Sequence, residues 1–145
     1  MSQFNKILSI TCLSVLILMT GGCASTPETP DPNVAMQEKY GIEILSVQLT
    51  SVNYMINFKY KVLDPEKAAP LHNRKIQPYI VLERTGSQFG VPLTEKLGSI
   101  RSSPKFAKAG KNYFIFFGNP ARYIKAGDLI TIVIGDFKVE HIEVK

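Results

Sequence analysis

Over YMINFKYKV, residues 54–62, hydrophobic and polar positions alternate. Tyr54, Ile56, Phe58, Tyr60 and Val62 share one parity, while Asn57, Lys59 and Lys61 share the other with Met55. A period of two is what a half-buried strand requires, because successive side chains point to opposite faces. A helix would scatter the same five residues around its circumference. Similar runs bounded by turn residues predict further strands at 42–50, 77–84, 87–93, 112–118, 128–134 and 137–144. Connections 51–53, 85–86 and 135–136 read as tight turns. Gly135-Asp136 puts glycine first of two, which suits a type II′ hairpin. Seven short strands over about 100 residues predict an all-β, immunoglobulin-like antiparallel sandwich, with a small barrel as the alternative.

Two runs are apolar on both faces, NYFIFFG (112–118) and LITIVI (129–134). The pattern predicts central strands covered on both sides and paired with each other, rather than an aromatic finger inserted in a membrane. Two strands lose phase. In 42–50 the apolar positions move from Ile42 and Ile44 to Leu45, Val47 and Leu49; in 137–144 they move from Phe137 and Val139 to Ile142 and Val144. A one-residue slip reverses facing, so a bulge is expected near Glu140-His141.

The pattern ahead of residue 41 is different. Met1–Lys6 carries one charge, Lys6; Ile7–Met19 is an apolar run; Thr20, Gly21 and Gly22 are small and precede Cys23. These are the parts of an export signal, with a core too short for a confident span of about 20 residues. ASTPETPDPNVAMQEKY (24–40) follows, with Pro27, Pro30 and Pro32 favouring extended chain. It reads as a tether reaching at most about 50 Å at ~3.1 Å per residue. NVAMQEKYG allows a short helix, Asn33 as cap and Gly41 as stop, but so short a helix is unstable alone and mostly coil is expected.

MTGGC followed by Ala24-Ser25 resembles the lipobox of bacterial lipoproteins, although Thr20 stands where leucine is usual. The resemblance covers residues 1–25 alone. It implies thioether lipidation of Cys23, cleavage before it and acylation of the new amino group. Ala24, where an acidic residue would favour inner-membrane retention, implies the outer membrane facing the periplasm. The expected organisation is a signal peptide at 1–22, lipidated cysteine and tether at 23–40, and a β domain at 41–145. Removing the signal also removes Cys12, so no internal disulfide remains available.

Charge sharpens the picture. The chain of 145 residues carries a formal +5, which falls to +4 without Lys6. No acid lies between Glu95 and Asp128, and the connection 94–111 is long for a compact domain. A hidden short strand near Ser99–Ser102 would shorten it. If successive strands alternate direction, 64–76 and 94–111 leave at the same end as the tether. Together they carry Lys67, Arg74, Lys75, Lys96, Arg101, Lys105, Lys108 and Lys111 against Asp64, Glu66 and Glu95. Such an end suits anionic headgroups or a small anionic ligand; nucleic acid is not expected, since no base-stacking pattern accompanies the lysines.

Catalytic signatures are missing: there is no C-x-x-C, H-E-x-x-H, G-x-S-x-G or glycine-rich phosphate loop. Asp64 and Glu66 beside Pro65 read as turn chemistry. No spacing supports a metal site from His72, His141, Met36 and Met55, so no metal or cofactor is expected. The expectation is a non-enzymatic accessory or adaptor protein of the envelope, with membrane, protein or anionic-lipid contacts. The alternative is a periplasmic binding module for a small anion.

Overall fold

The structure, a computed structural model, describes residues 32–96 and 98–145. The signal segment, Cys23 and the tether up to residue 31 lie outside the described residues. A helix α1 (Pro32–Tyr40) leads into β1 (Ile42–Thr50) and β2 (Met55–Val62). Then come a short α2 (Ala69–His72), β3 (Tyr79–Leu82), β4 (Ser87–Gly90) and the two-residue strands β5 (Leu93–Thr94) and β6 (Gly98–Ser99). β7 (Asn112–Gly118), β8 (Leu129–Ile134) and β9 (Phe137–Glu143) complete the order.

The seven main strands divide three and four, as in an immunoglobulin-like sandwich. One sheet runs β1-β2-β7, the other β4-β3-β8-β9, all antiparallel, with β5-β6 a separate hairpin. Parity decides what each strand buries. Ile56, Phe58, Tyr60 and Val62 of β2 are fully buried and face Ile80, Leu82, Ile130, Ile132 and Ile134 in one core cluster. Tyr54 falls outside this set, exposed in the turn before β2. At one edge the chain's last residue joins the sheets, where Lys145 N–H donates to Val47 O (3.0 Å) and Leu49 N–H to Lys145 O (2.8 Å). The barrel does not close.

Both phase slips are β-bulges. The β1-β2 register shifts between Ile44 and Ser46, leaving Leu45 outward and returning Val47 and Leu49 to the core side. The β8-β9 register shifts between Ile130 and Ile132, so Glu140 and His141 oppose Thr131 alone. His141 takes φ +59°, and Glu83 clamps it, accepting from His141 N–H (2.8 Å) and the Thr131 hydroxyl (2.9 Å) and meeting His141 Nδ1 at 2.9 Å. Burial opposes the charge on Glu83, but these hydrogen bonds outweigh it and hold the carboxyl below its ordinary pKa. Gly135 opens the β8-β9 turn at φ +62°, between paired Ile134 and Phe137.

Three expectations need correction. β7 and β8 are not neighbours: β7 pairs with β2, and β8 lies between β3 and β9 in the other sheet. Nor is β7 covered on both faces, since Ile115 and Phe117 are buried while Phe114 is 41% exposed beside Phe116. The last part of the expected tether is helical. Met36 and Tyr40 of α1 enter the core, Tyr40 edge-on to Phe137 at 4.6 Å, its hydroxyl donating to Asp136 O. Packing supplies what nine residues of helix lack alone. Gly41 stops the helix at φ +62°, but Asn33 Oδ1 accepts from Ile44 N–H in β1.

Candidate functional site

Gly41 marks the end of the sandwich at which the chain enters. Its carbonyl accepts from Leu63 N–H (2.8 Å) and Asp64 N–H (3.0 Å), so loop 64–76 starts there. Val62 N–H donates to Lys111 O and Gly110 N–H to Val62 O, which brings in the far end of the 94–111 connection. Loop 64–76 and the far end of the 94–111 connection therefore meet at this end and pack on each other, whereas the connection starts from Pro92 beside Gly118, toward the other end of β7. Arg74 Nη2 donates to Ser103 O and Arg101 Nη2 to Asn73 O, each at 3.1 Å. The 94–111 connection is less irregular than its length suggests. After the β5-β6 hairpin it runs along β7, with an Arg101–Ile115 bridge and Ser102 N–H donating to Phe114 O.

Loop 64–76 folds by local chemistry. Asp64 Oδ1 accepts from Glu66 N–H and Lys67 N–H in an Asx-type turn. The chain then enters α2 with Pro70 in its first turn, and fully buried Ala68 and Leu71 plug the end of the core. His72 follows, 8% exposed, its ring edge-on to Tyr113 at 4.8 Å and 6.0 Å from Tyr60. Between this loop and residues 104–107 runs a cleft of about 410 Å³ with His72 in its wall.

Beneath the loops lies a polar cluster inside apolar surroundings. Tyr60 Oη, both ring nitrogens of His72, Arg101 Nη1, Ser99 Oγ and Ser103 Oγ are buried without a hydrogen-bond partner among the described residues. Burial raises the Tyr60 pKa strongly, opposed by the nearby Arg101 guanidinium. Burial lowers that of His72; the Ser102 backbone pulls the other way without completing a bond of ordinary geometry, and Arg101 adds to the lowering. Arg101 is lowered by burial too, yet a guanidinium keeps its proton in a protein. The cluster is thus a phenol, a neutral imidazole and one cation.

The expected basic residues divide into three groups. Lys67, Arg74, Lys75, Lys105, Lys108 and Lys111 are exposed on the two loops at this end. Lys67 Nζ also donates to Glu38 O (3.0 Å), tying α1 to the loop. Lys96 stands on the turn of the β5-β6 hairpin, whose Leu93, Gly98 and Ser99 line a cleft with Arg74 and Gln77 while Pro92 at its base lies beside Gly118. Arg101 turns inward to the polar cluster. Sequence reasoning missed Phe106, which is 75% exposed beside Lys105, whose ammonium lies 5.5 Å from its ring. The signal was present as an aromatic between two lysines in KFAK, with no strand period to bury it. It also missed His72 and Tyr60 as one cluster, because only the folded loop brings them together.

Compared with known protein families, with curated proteins and with solved structures, the chain matches none.

Proposed function

We propose that this chain is a lipid-anchored, non-enzymatic accessory module of the bacterial cell envelope. In this reading Cys23 carries the acyl chains at the periplasmic face of the outer membrane, and the basic end rests on anionic headgroups. One observation carries the second half: six exposed cations and the exposed ring of Phe106 share the end at which the chain enters. Near an anionic bilayer each cation contributes about 1 kcal/mol, falling away within a Debye length of about 8 Å. A phenylalanine moved from water into the acyl boundary adds about 1.5–3 kcal/mol. Asp64 and Glu66 offset part of this. The tether brings the surface within reach, and the loops would meet it with charge and an apolar wedge together.

The test keeps the anchor constant. The full chain is reconstituted in neutral and in anionic vesicles, and amide hydrogen exchange is followed in 64–76 and 103–111. Both segments are expected to gain protection on anionic vesicles at low salt and to lose it at high salt. Equal exchange on the two bilayers removes the headgroup contact.

The adaptor half of the reading draws on the opposite end. There Ser51, Val52, Asn53, Ala121 and Arg122, none of them glycine, hold φ between +52° and +67°. Val52 is 77% exposed, with Tyr54 and Tyr123 exposed nearby. Backbone strain of this kind persists only where the surroundings over-determine it and clusters at binding surfaces. A photo-crosslinker at Val52 should capture an envelope protein in intact cells that one at Lys59, on the outer face of β2, does not. Identical captures from both positions count against a partner there.

A further inference from the structure

On the flank of the basic end, a second cleft of about 350 Å³ lies between the β5-β6 hairpin and the stretch Arg74–Gln77. Arg74, Arg101, Ser99 and Ser103 wall it, with Leu93 as an apolar side. We propose that this cleft binds one tetrahedral oxyanion of the phosphate type, through the two guanidinium groups and the two serine hydroxyls. The proposal goes beyond the headgroup contact, because a diffuse basic surface needs no cleft and no hydroxyls.

Three observations lead to it. The two arginine heads are pinned in reciprocal fashion, Arg74 to Ser103 O and Arg101 to Asn73 O, each through Nη2. Fixed forks lose little freedom on binding, and they match phosphate oxygens two at a time. Second, neither arginine meets a carboxylate within 4.0 Å among the described residues, and no acid lines the cleft. Burial lowers the pKa of Arg101 most, and the like charge of Arg74 adds to that lowering. Third, three residues that line the cleft, Arg101, Ser99 and Ser103, each carry a buried polar atom (Nη1, Oγ and Oγ) without a hydrogen-bond partner among the described residues. Such groups are uncommon in folded proteins, each costs free energy, and three of them on residues that line one cleft mark a place where acceptor oxygens would be welcome. A serine hydroxyl needs only a turn about χ1 to face into the cleft, and an oxyanion supplies acceptors for both charge and hydroxyls.

A free phosphate and the phosphate of a lipid headgroup present the same chemistry, so the test separates the sources. The full chain is held in neutral detergent micelles and titrated with inorganic phosphate or with glycerophosphoglycerol, a soluble diester headgroup. Potassium chloride at matched ionic strength is the reference, and calorimetry and melting temperature are the readouts. Saturable binding of either phosphate compound with a rise in melting temperature, absent with chloride, is the expected result. Preference for the diester identifies a headgroup, and preference for inorganic phosphate a free anion. Exposed Arg74 can change without disturbing the core, and Arg74→Gln should weaken binding about tenfold or more. Ser99→Ala should weaken it less, and Lys108→Gln, away from the cleft, not at all. No saturation with either compound, or equal weakening by Arg74→Gln and Lys108→Gln, overturns the site. Because no anionic bilayer is present, either outcome stands apart from the exchange experiment on vesicles.

Discussion

Asn119 shows how much one buried amide can organise. It is fully buried, and its side chain donates to Asn53 O and Ile124 O and accepts from Ile124 N–H, all at 2.8 Å. These bonds tie the left-handed turn at 51–53 to the left-handed pair Ala121-Arg122. Asn119→Ala would strand two carbonyls and one N–H, and a loss of about 3 kcal/mol is expected from the urea midpoint. A loss under about 1 kcal/mol would mean that the two turns hold their shape unaided. His72 gives a prediction in pH. Burial keeps its folded pKa below the ordinary value of about 6.5, so the folded state prefers the neutral ring. Above that pH neither state is protonated and the linkage is silent. As pH falls through it the unfolded chain gains protons first, and stability drops. The melting temperature should therefore hold between about pH 8 and 7 and fall as pH drops below about 6.5 toward 5, and His72→Phe, which keeps a ring on Tyr113, should flatten that fall. An unchanged slope in the variant excludes His72 as its source. Glu83 acts lower: its depressed pKa contributes stability that is lost only as pH falls below its ordinary value.

At the scale of elements, Gly41 is the joint between α1, β1 and the loop after β2. A Cβ there would lie 2.6 Å from Asp64 Cβ and 3.0 Å from Lys67 Cβ, at φ +62°. Gly86, at φ +71°, has nothing within 4 Å. Gly86→Ala should cost only the left-handed penalty of about 1–2 kcal/mol, while Gly41→Ala adds overpacking of about 1–3 kcal/mol. Thermal melts of the pair isolate the added part, and equal losses would mean that the loop gives way freely. The same scale shows what was legible in the sequence. The seven main strands, the facing of β2 and the His141 bulge followed from parity, because a slip in period two can be read directly. Partners of β7 and β8 were not legible: an all-apolar run states that it is wanted inside, not which neighbour it takes. Helix α1 was legible as a possible short helix but expected mostly as coil, because its support comes from Phe137 and Asp136, some hundred residues later. Of the basic end, the meeting of loop 64–76 with the far end of the 94–111 connection followed from strand direction. The inward turn of Arg101 depended on an irregular strand that its flanking serines only hinted at.

For the whole molecule, the question is which forces would hold it at a bilayer and how salt separates them. Acyl chains act through the hydrophobic effect at about 0.8 kcal/mol per buried methylene, a term that added salt does not screen. The six exposed cations act through charge, which salt weakens as the Debye length shrinks to about 3 Å at 1 M. An anchored chain should therefore enter the detergent phase in a phase-partition assay at any ionic strength, with the N-terminal peptide of the mature form carrying acyl mass on Cys23. Cys23→Ser should shift the protein toward the aqueous phase. Lys105→Glu combined with Lys108→Glu should leave partition unchanged and abolish only the salt-sensitive protection of the loops on anionic vesicles. The two sets of substitutions thus act on separable terms. Equal partition of wild type and Cys23→Ser would remove the anchor, and loss of partition in the charge-reversed variant would show that charge, not lipid, had been holding the chain.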